Sequence, residues 1–84
     1  MSWKLVWTRP ALRDMKKLDQ QRAHRVREGL TRLAETGQGD VKKLTDVDPP
    51  EWRLRVGDRR VFFQYATDPK QIQVLRVVRR DQAY

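Results

Sequence analysis

Between Trp52 and Phe63, apolar and basic residues alternate about a central Gly57-Asp58. Trp52, Leu54 and Val56 interleave with Arg53 and Arg55, and Gly57-Asp58 suits a two-residue hairpin turn. In a strand, alternate side chains point to opposite faces, and a slip of one residue exchanges the faces wholesale. A two-residue turn sets Val56 opposite Arg59, Arg55 opposite Arg60, Leu54 opposite Val61, Arg53 opposite Phe62 and Trp52 opposite Phe63. One face then carries Trp52, Leu54, Val61 and Phe63. The other carries Arg53, Arg55, Arg60 and Phe62. A chain with this hairpin must build a sheet with one apolar face to cover and one basic face to leave open.

The upstream segment supplies the cover. Trp3, Leu5 and Trp7 alternate with Ser2, Lys4 and Val6, the period of a short first strand. Thr8 is a helix cap, and Pro10 is tolerated in a first helical turn, where N–H groups lack partners anyway. Ala11, Leu12, Met15 and Leu18 recur at helical spacing, with Arg13, Asp14, Lys16 and Lys17 expected to face water. Asp19 can cap a second helix, in which Ala23, Val26, Leu30, Leu33 and Ala34 form a stripe of period 3.6. Gly37 follows as its left-handed C-cap.

From Gly37 to Pro50 the chain reads as a loop, with Pro49-Pro50 forbidding a helix and Val41 and Leu44 pinning it to the core. Further strands are expected from Arg59 to Ala66 and, after Thr67-Asp68-Pro69-Lys70, from Gln71 to about Arg79. The expectation is one α+β domain over residues 1–84, ordered βααβββ, an antiparallel sheet with a two-helix hairpin packed on one face.

The open face has a chemistry of its own. Arg55 and Arg60 fall directly opposite one another, and like charges so placed destabilise a sheet. A bound phosphate converts that repulsion into attraction, because the guanidinium offers a planar donor fork that phosphate accepts. The last strand brings a further arginine, with the choice set by the preceding loop. Three loop residues put Arg76 and Arg80 on the face of Arg60; four put Arg79 there. Phe62, amid these cations, either stacks on a base or is a partly buried sheet residue.

Nineteen Lys and Arg against eleven Asp and Glu leave a formal charge of +8, which favours encounters with anionic partners such as RNA. With no cysteine, disulfides, thiolate zinc sites and thiol nucleophiles are excluded; with His24 the only imidazole, no metal or other cofactor is expected. His24 falls beside the apolar stripe, toward solvent. No Ser-His-Asp set, paired carboxylate motif or glycine-rich phosphate loop is present. No signal-peptide pattern opens the chain and no apolar run approaches the ~20 residues of a membrane helix, so a cytoplasmic setting is expected.

Trp52-Arg53-Leu54-Arg55-Val56-Gly57-Asp58-Arg59-Arg60-Val61-Phe62-Phe63 resembles the signature hairpin of the RelE/ParE toxin superfamily, the toxins of type II toxin–antitoxin systems. Lys42-Lys43-Leu44 resembles its upstream basic element, and Val77-Val78-Arg79-Arg80-Asp81-Gln82-Ala83-Tyr84 resembles its terminus. The opening from Trp3 through Ala11 to Leu18 is similar to its first strand and helix.

The resemblance implies the βααβββ fold, an acidic antitoxin as partner, and one of two targets. RelE-like members are endoribonucleases that cut mRNA on the ribosome; ParE-like members inhibit DNA gyrase without catalysis. A purely regulatory homologue is a third possibility. For the RelE-like case it implies that Arg53, Arg55, Arg60, Arg80 and Tyr84 form the catalytic set; the strand parity above adds Arg76, Arg79 and Phe62 as RNA contacts beside Arg53, Arg55, Arg60 and Arg80. Arg53 and Arg55 stand where such enzymes often carry lysine, and arginine stays protonated, so neither is a base. The base or stacking role then falls to Tyr84, with Asp81 behind it.

Overall fold

The computed structural model describes residues 2–80. Its elements run β1 (Lys4–Trp7), α1 (Arg9–Lys16), α2 (Gln20–Thr36), β2 (Asp40–Lys43), β3 (Trp52–Val56), β4 (Arg59–Ala66) and β5 (Gln71–Arg79). The strands form one sheet in the order β1-β5-β4-β3-β2.

Local chemistry accounts for the helix ends. The Thr8 hydroxyl accepts from the Ala11 N–H and itself donates to the Val74 carbonyl at 2.7 Å, tying the start of α1 to β5. Asp19 caps α2 by accepting the Arg22 N–H at 2.8 Å, and Gly37 ends it with φ of +76°. That Arg22 N–H, helped by the Arg22 guanidinium, holds the Asp19 carboxyl below its ordinary value of 3.8. A lowered folded-state pKa stabilises above the unfolded value and is lost as pH falls through the folded one. Urea unfolding between pH 6 and pH 3 is therefore expected to show a loss of stability below about pH 4 that Asp19→Ser, which keeps a capping oxygen but no charge, lacks.

The apolar stripe of α2 meets the sheet as its period requires. Val26, Leu30, Leu33 and Ala34 join Leu54, Val61, Phe63, Ile72, Val74 and Val77 in one core, with Ala11 from α1. Trp3, Trp52 and Tyr65 pack at its margin, the Tyr65 ring 5.0 Å from Trp3 and 5.4 Å from Trp52 between centroids. Burial pushes the Tyr65 phenol above its ordinary pKa. His24 lies on the solvent side of α2, its Nε2 2.6 Å from Glu28.

Three features differ from the sequence expectation. The stretch read as a loop contains β2, antiparallel to β3 with Val41 opposite Leu54. Four residues with one apolar side chain carry no period of their own; Asp40–Lys43 is a strand because β3 offers it a ladder. Val41 does pack against the core, and the Leu44 N–H donates to the Glu51 carbonyl.

The sheet is also mixed, because β1 runs parallel to β5, Lys4 beside Gln71 and Trp7 beside Val74. Parallel neighbours need a long crossover, and every element from α1 to β4 lies between them in the chain. Finally, Asp14 does not face water: it is only 8% exposed, whereas Leu12 is 46% exposed. α1 occupies the place beside β5 where β1 has ended, and this turns Asp14 rather than Leu12 toward the sheet. Among the described residues no helix is long and apolar enough to cross a membrane.

Candidate nucleic-acid interface

The hairpin forms in the register its turn demands. Gly57 takes φ of +57°, the left-handed value a two-residue turn with a leading glycine needs. Arg55 lies opposite Arg60, Arg53 opposite Phe62, and Trp52 opposite Phe63. The helices pack on the face of Leu54, Val61 and Phe63, so Arg53, Arg55 and Arg60 share the other. β2 widens that face: Lys42 stands beside Arg53, and Asp40 beside Arg55.

Two rows therefore cross the open face. One runs Asp40, Arg55, Arg60, Val78; the next runs Lys42, Arg53, Phe62, Arg76. Cross-strand neighbours of this kind lie about 5 Å apart at Cα. Arg55 is exposed and Arg60 half-buried, so both remain accessible. Among the described residues the Nε of Arg53 is buried without a hydrogen-bond partner. Phe62 is only 5% exposed. It lies on the arginine face as its parity requires, but presents little ring to a base in this conformation.

The position of the last strand depends on an irregularity. The loop before β5 has four residues, 67–70, with Ala66 opposite Gln71. Regular pairing from there would bring Arg79 to the face of Arg60. A register shift between Phe62 and Phe63 absorbs one residue of β5, so that Val78 pairs with Arg60 and Arg79 with Arg59. Arg79 thus falls on the register of Arg59, and Arg80 has the parity of Arg60. The Arg80 N–H donates to the Asp58 carbonyl at 2.8 Å, which ties the strand end to the hairpin turn.

Asp58, Arg59, Arg60, Arg79 and Arg80 line an open groove at this end of the sheet. Four arginines and one aspartate thus share the lining. The Asp58 carboxylate is already shared, lying 3.0 Å from Arg59 and 3.7 Å from Arg22. The groove keeps a cationic excess on the side of Arg60 and Arg80.

Arg76 has a different engagement. Its Nε and Nη2 donate to the Asp14 carboxylate at 2.7 and 3.2 Å, and the Val77 N–H donates to the same group at 2.8 Å. Beyond Val74, β5 has lost β1 as a neighbour, and the Asp14 carboxylate takes the strand's place. The structure therefore sets Arg53, Arg55, Arg60 and Phe62 on one face and brings Arg80 into the groove beside Arg60. Arg76 is turned to α1, and Arg79 is on the register of Arg59. Tyr84 and Asp81 lie outside the described residues.

Two residues escaped the sequence. Lys42 joins the face only because β2 forms. Asp14 looked like a solvent residue of α1, and its one sequence signal was a lone carboxylate beside the apolar positions.

No curated protein matches the chain. Among solved structures, RelE in the RelE–RelB complex of Pyrococcus horikoshii superposes with a TM-score of 0.79 at 23% identity, covering 99% of this chain and 100% of the other. A RelBE toxin–antitoxin complex of Mycobacterium tuberculosis gives 0.80 at 22% identity, over 95% and 100% of the chains. The isolated RelE toxin of E. coli gives 0.78 at 15% identity, over 98% and 88%. The fold is thus the RelE fold. The sequence model of the ParE toxin of type II toxin–antitoxin systems matches residues 5–84, nearly the whole chain. This chain belongs to the ParE toxin family, within the RelE/ParE superfamily of type II toxin–antitoxin toxins.

Proposed function

We propose that this toxin is a ribosome-dependent endoribonuclease that cleaves mRNA, with the open arginine face as its RNA site. The observation that carries this is the direct pairing of Arg55 with Arg60 on the uncovered face of the sheet. A fold gains nothing from two like charges in that position; a phosphodiester bound between them gains two donor forks.

The reaction is attack of a ribose 2′-OH on the adjacent phosphate. The bond from the 2′-oxygen to phosphorus forms, the bond to the 5′-oxygen breaks, and one proton moves from the nucleophile to the leaving group. Arg60 and Arg80 stabilise the charge that builds on the phosphoryl oxygens. Arg53 and Arg55 hold the RNA and protonate or electrostatically stabilise the leaving 5′-oxygen, with Lys42 extending the track.

Tyr84 is the proposed base or stacking residue, with Asp81 as its proposed helper. A phenol of ordinary pKa ~10 is a poor base unless neighbouring cations lower that value. Tyr84→Phe is expected to lower cleavage on programmed ribosomes by roughly 100-fold, the lower end for loss of a general base. Unchanged cleavage in both Tyr84→Phe and Asp81→Ala removes this assignment. The toxin's partner is a cognate antitoxin, whose acidic segment would cover the same basic face.

A second target is favoured by one specific observation: the family model that matches is that of ParE. A ParE-like activity would inhibit DNA gyrase without chemistry, and Tyr84 would be dispensable. Primer extension on programmed ribosomes beside a gyrase supercoiling assay separates the two. New mRNA ends at the A-site codon with unimpaired supercoiling support the nuclease; blocked supercoiling without new ends supports the gyrase inhibitor.

A further inference from the structure

Beyond the arginine rows the open face changes character. Arg60, Phe62 and Gln64 follow one another along β4 on the same side, each step about 7 Å. Gln64 pairs with Gln73 of β5. Both are half-buried, and among the described residues neither side-chain amide is hydrogen-bonded. Two amides thus stand side by side at the end of a track that begins with the phosphate-binding arginines.

Strand length builds a notch at this place. β3 begins at Trp52, opposite Phe63, so β4 runs on from Gln64 without a neighbour on that side. A notch here is lined by Pro49 and Pro50 with Lys43, Trp52, Gln64, Tyr65 and Gln73. The Lys43 ammonium lies 5.7 Å from the centre of the Trp52 ring, so a cation stands at the rim. The notch joins the two faces at the step: Gln64 and Gln73 come from the open face, while Lys43, Trp52 and Tyr65 have the parity of the covered one.

We propose that this notch is a nucleobase site, in which Gln64 and Gln73 read the edge of one base of the RNA strand. The inference rests on the RNA-cleaving function proposed above and adds to it the residues that set nucleotide preference. Each amide carries a donor beside an acceptor, and glutamine makes its best two-bond contact with adenine. Phosphate lies on the arginines, the strand follows β4, and a base about two strand steps beyond Arg60 enters between the prolines and the amides. Adenine is the base expected there.

The test uses ribosomes programmed with messages whose A-site codon carries each of the four bases at each position. Cleavage is read by primer extension for the parent, Gln64→Ala with Gln73→Ala, and the near-isosteric Gln64→Met with Gln73→Met. Thermal melts confirm that the variants fold; both side chains are on the open face, outside the core. The parent is expected to prefer adenine at one codon position by roughly ten-fold, and both double variants to lose that preference. Parent-like profiles in both folded variants overturn the base site and leave the nuclease intact. A parent that produces no cuts overturns the nuclease and the base site together.

Discussion

Arg55→Ala combined with Arg60→Ala is expected to lower mRNA cleavage on programmed ribosomes by about two to three orders of magnitude, the range seen when preorganised charge stabilisation is removed from a site. The same variant is expected to match the parent in stability. The two guanidinium groups are cross-strand neighbours on the uncovered face, and neither belongs to the core. Their mutual repulsion opposes folding, and its removal offsets the loss of the attraction between Arg55 and its other neighbour Asp40, so the net change stays within a few tenths of a kcal/mol. Activity therefore falls without a matching loss of stability, which a structural role cannot produce. Chemical denaturation beside primer extension measures both. A variant that loses activity and stability together assigns the pair to the fold instead. A variant that still cuts at the parental rate removes the phosphate site.

Asp14→Ala is expected to be the most damaging single polar substitution. The carboxylate is 8% exposed and accepts from the Val77 N–H and from two nitrogens of Arg76. Truncation leaves a buried strand N–H without an acceptor, which costs about 1–3 kcal/mol. The Arg76 side chain is 40% exposed and can rehydrate, so its share is discounted. A total of roughly 2–4 kcal/mol is expected, or a fall of about 10–25 °C in Tm for a domain of this size. Asp14→Asn keeps an acceptor for Val77 and is expected to cost less than half as much. Equal losses in both variants would place the weight on the ion pair with Arg76, and a loss below 0.5 kcal/mol in Asp14→Ala would deny the carboxylate its role as substitute strand.

The hairpin at the heart of the basic face was legible residue by residue. Five cross-strand pairs follow from one glycine in a two-residue turn, because a strand period of two leaves no freedom once the turn is set. The helix ends were equally local: Thr8, Asp19 and Gly37 act on backbone groups within a few residues of themselves. What escaped was non-local. The strand character of Asp40–Lys43, and so the arrival of Lys42 at the site, comes from the ladder that β3 offers. The parallel docking of β1 on β5 joins residues more than sixty positions apart.

By itself, then, the amino-acid order determined two faces, one apolar and one basic, together with the turns and caps that bound each element. Periodicity, turn chemistry and charge act over a few residues, so a chain carries them openly. The tertiary structure alone decided which last-strand arginine reaches the site. A four-residue loop pointed to Arg79, but the register shift at Phe62 and Phe63 restored the parity of Arg80, and α1 drew Arg76 onto Asp14. A bulge costs one residue of register, and whether it forms depends on packing from both faces of the sheet. No local pattern in the chain records that balance.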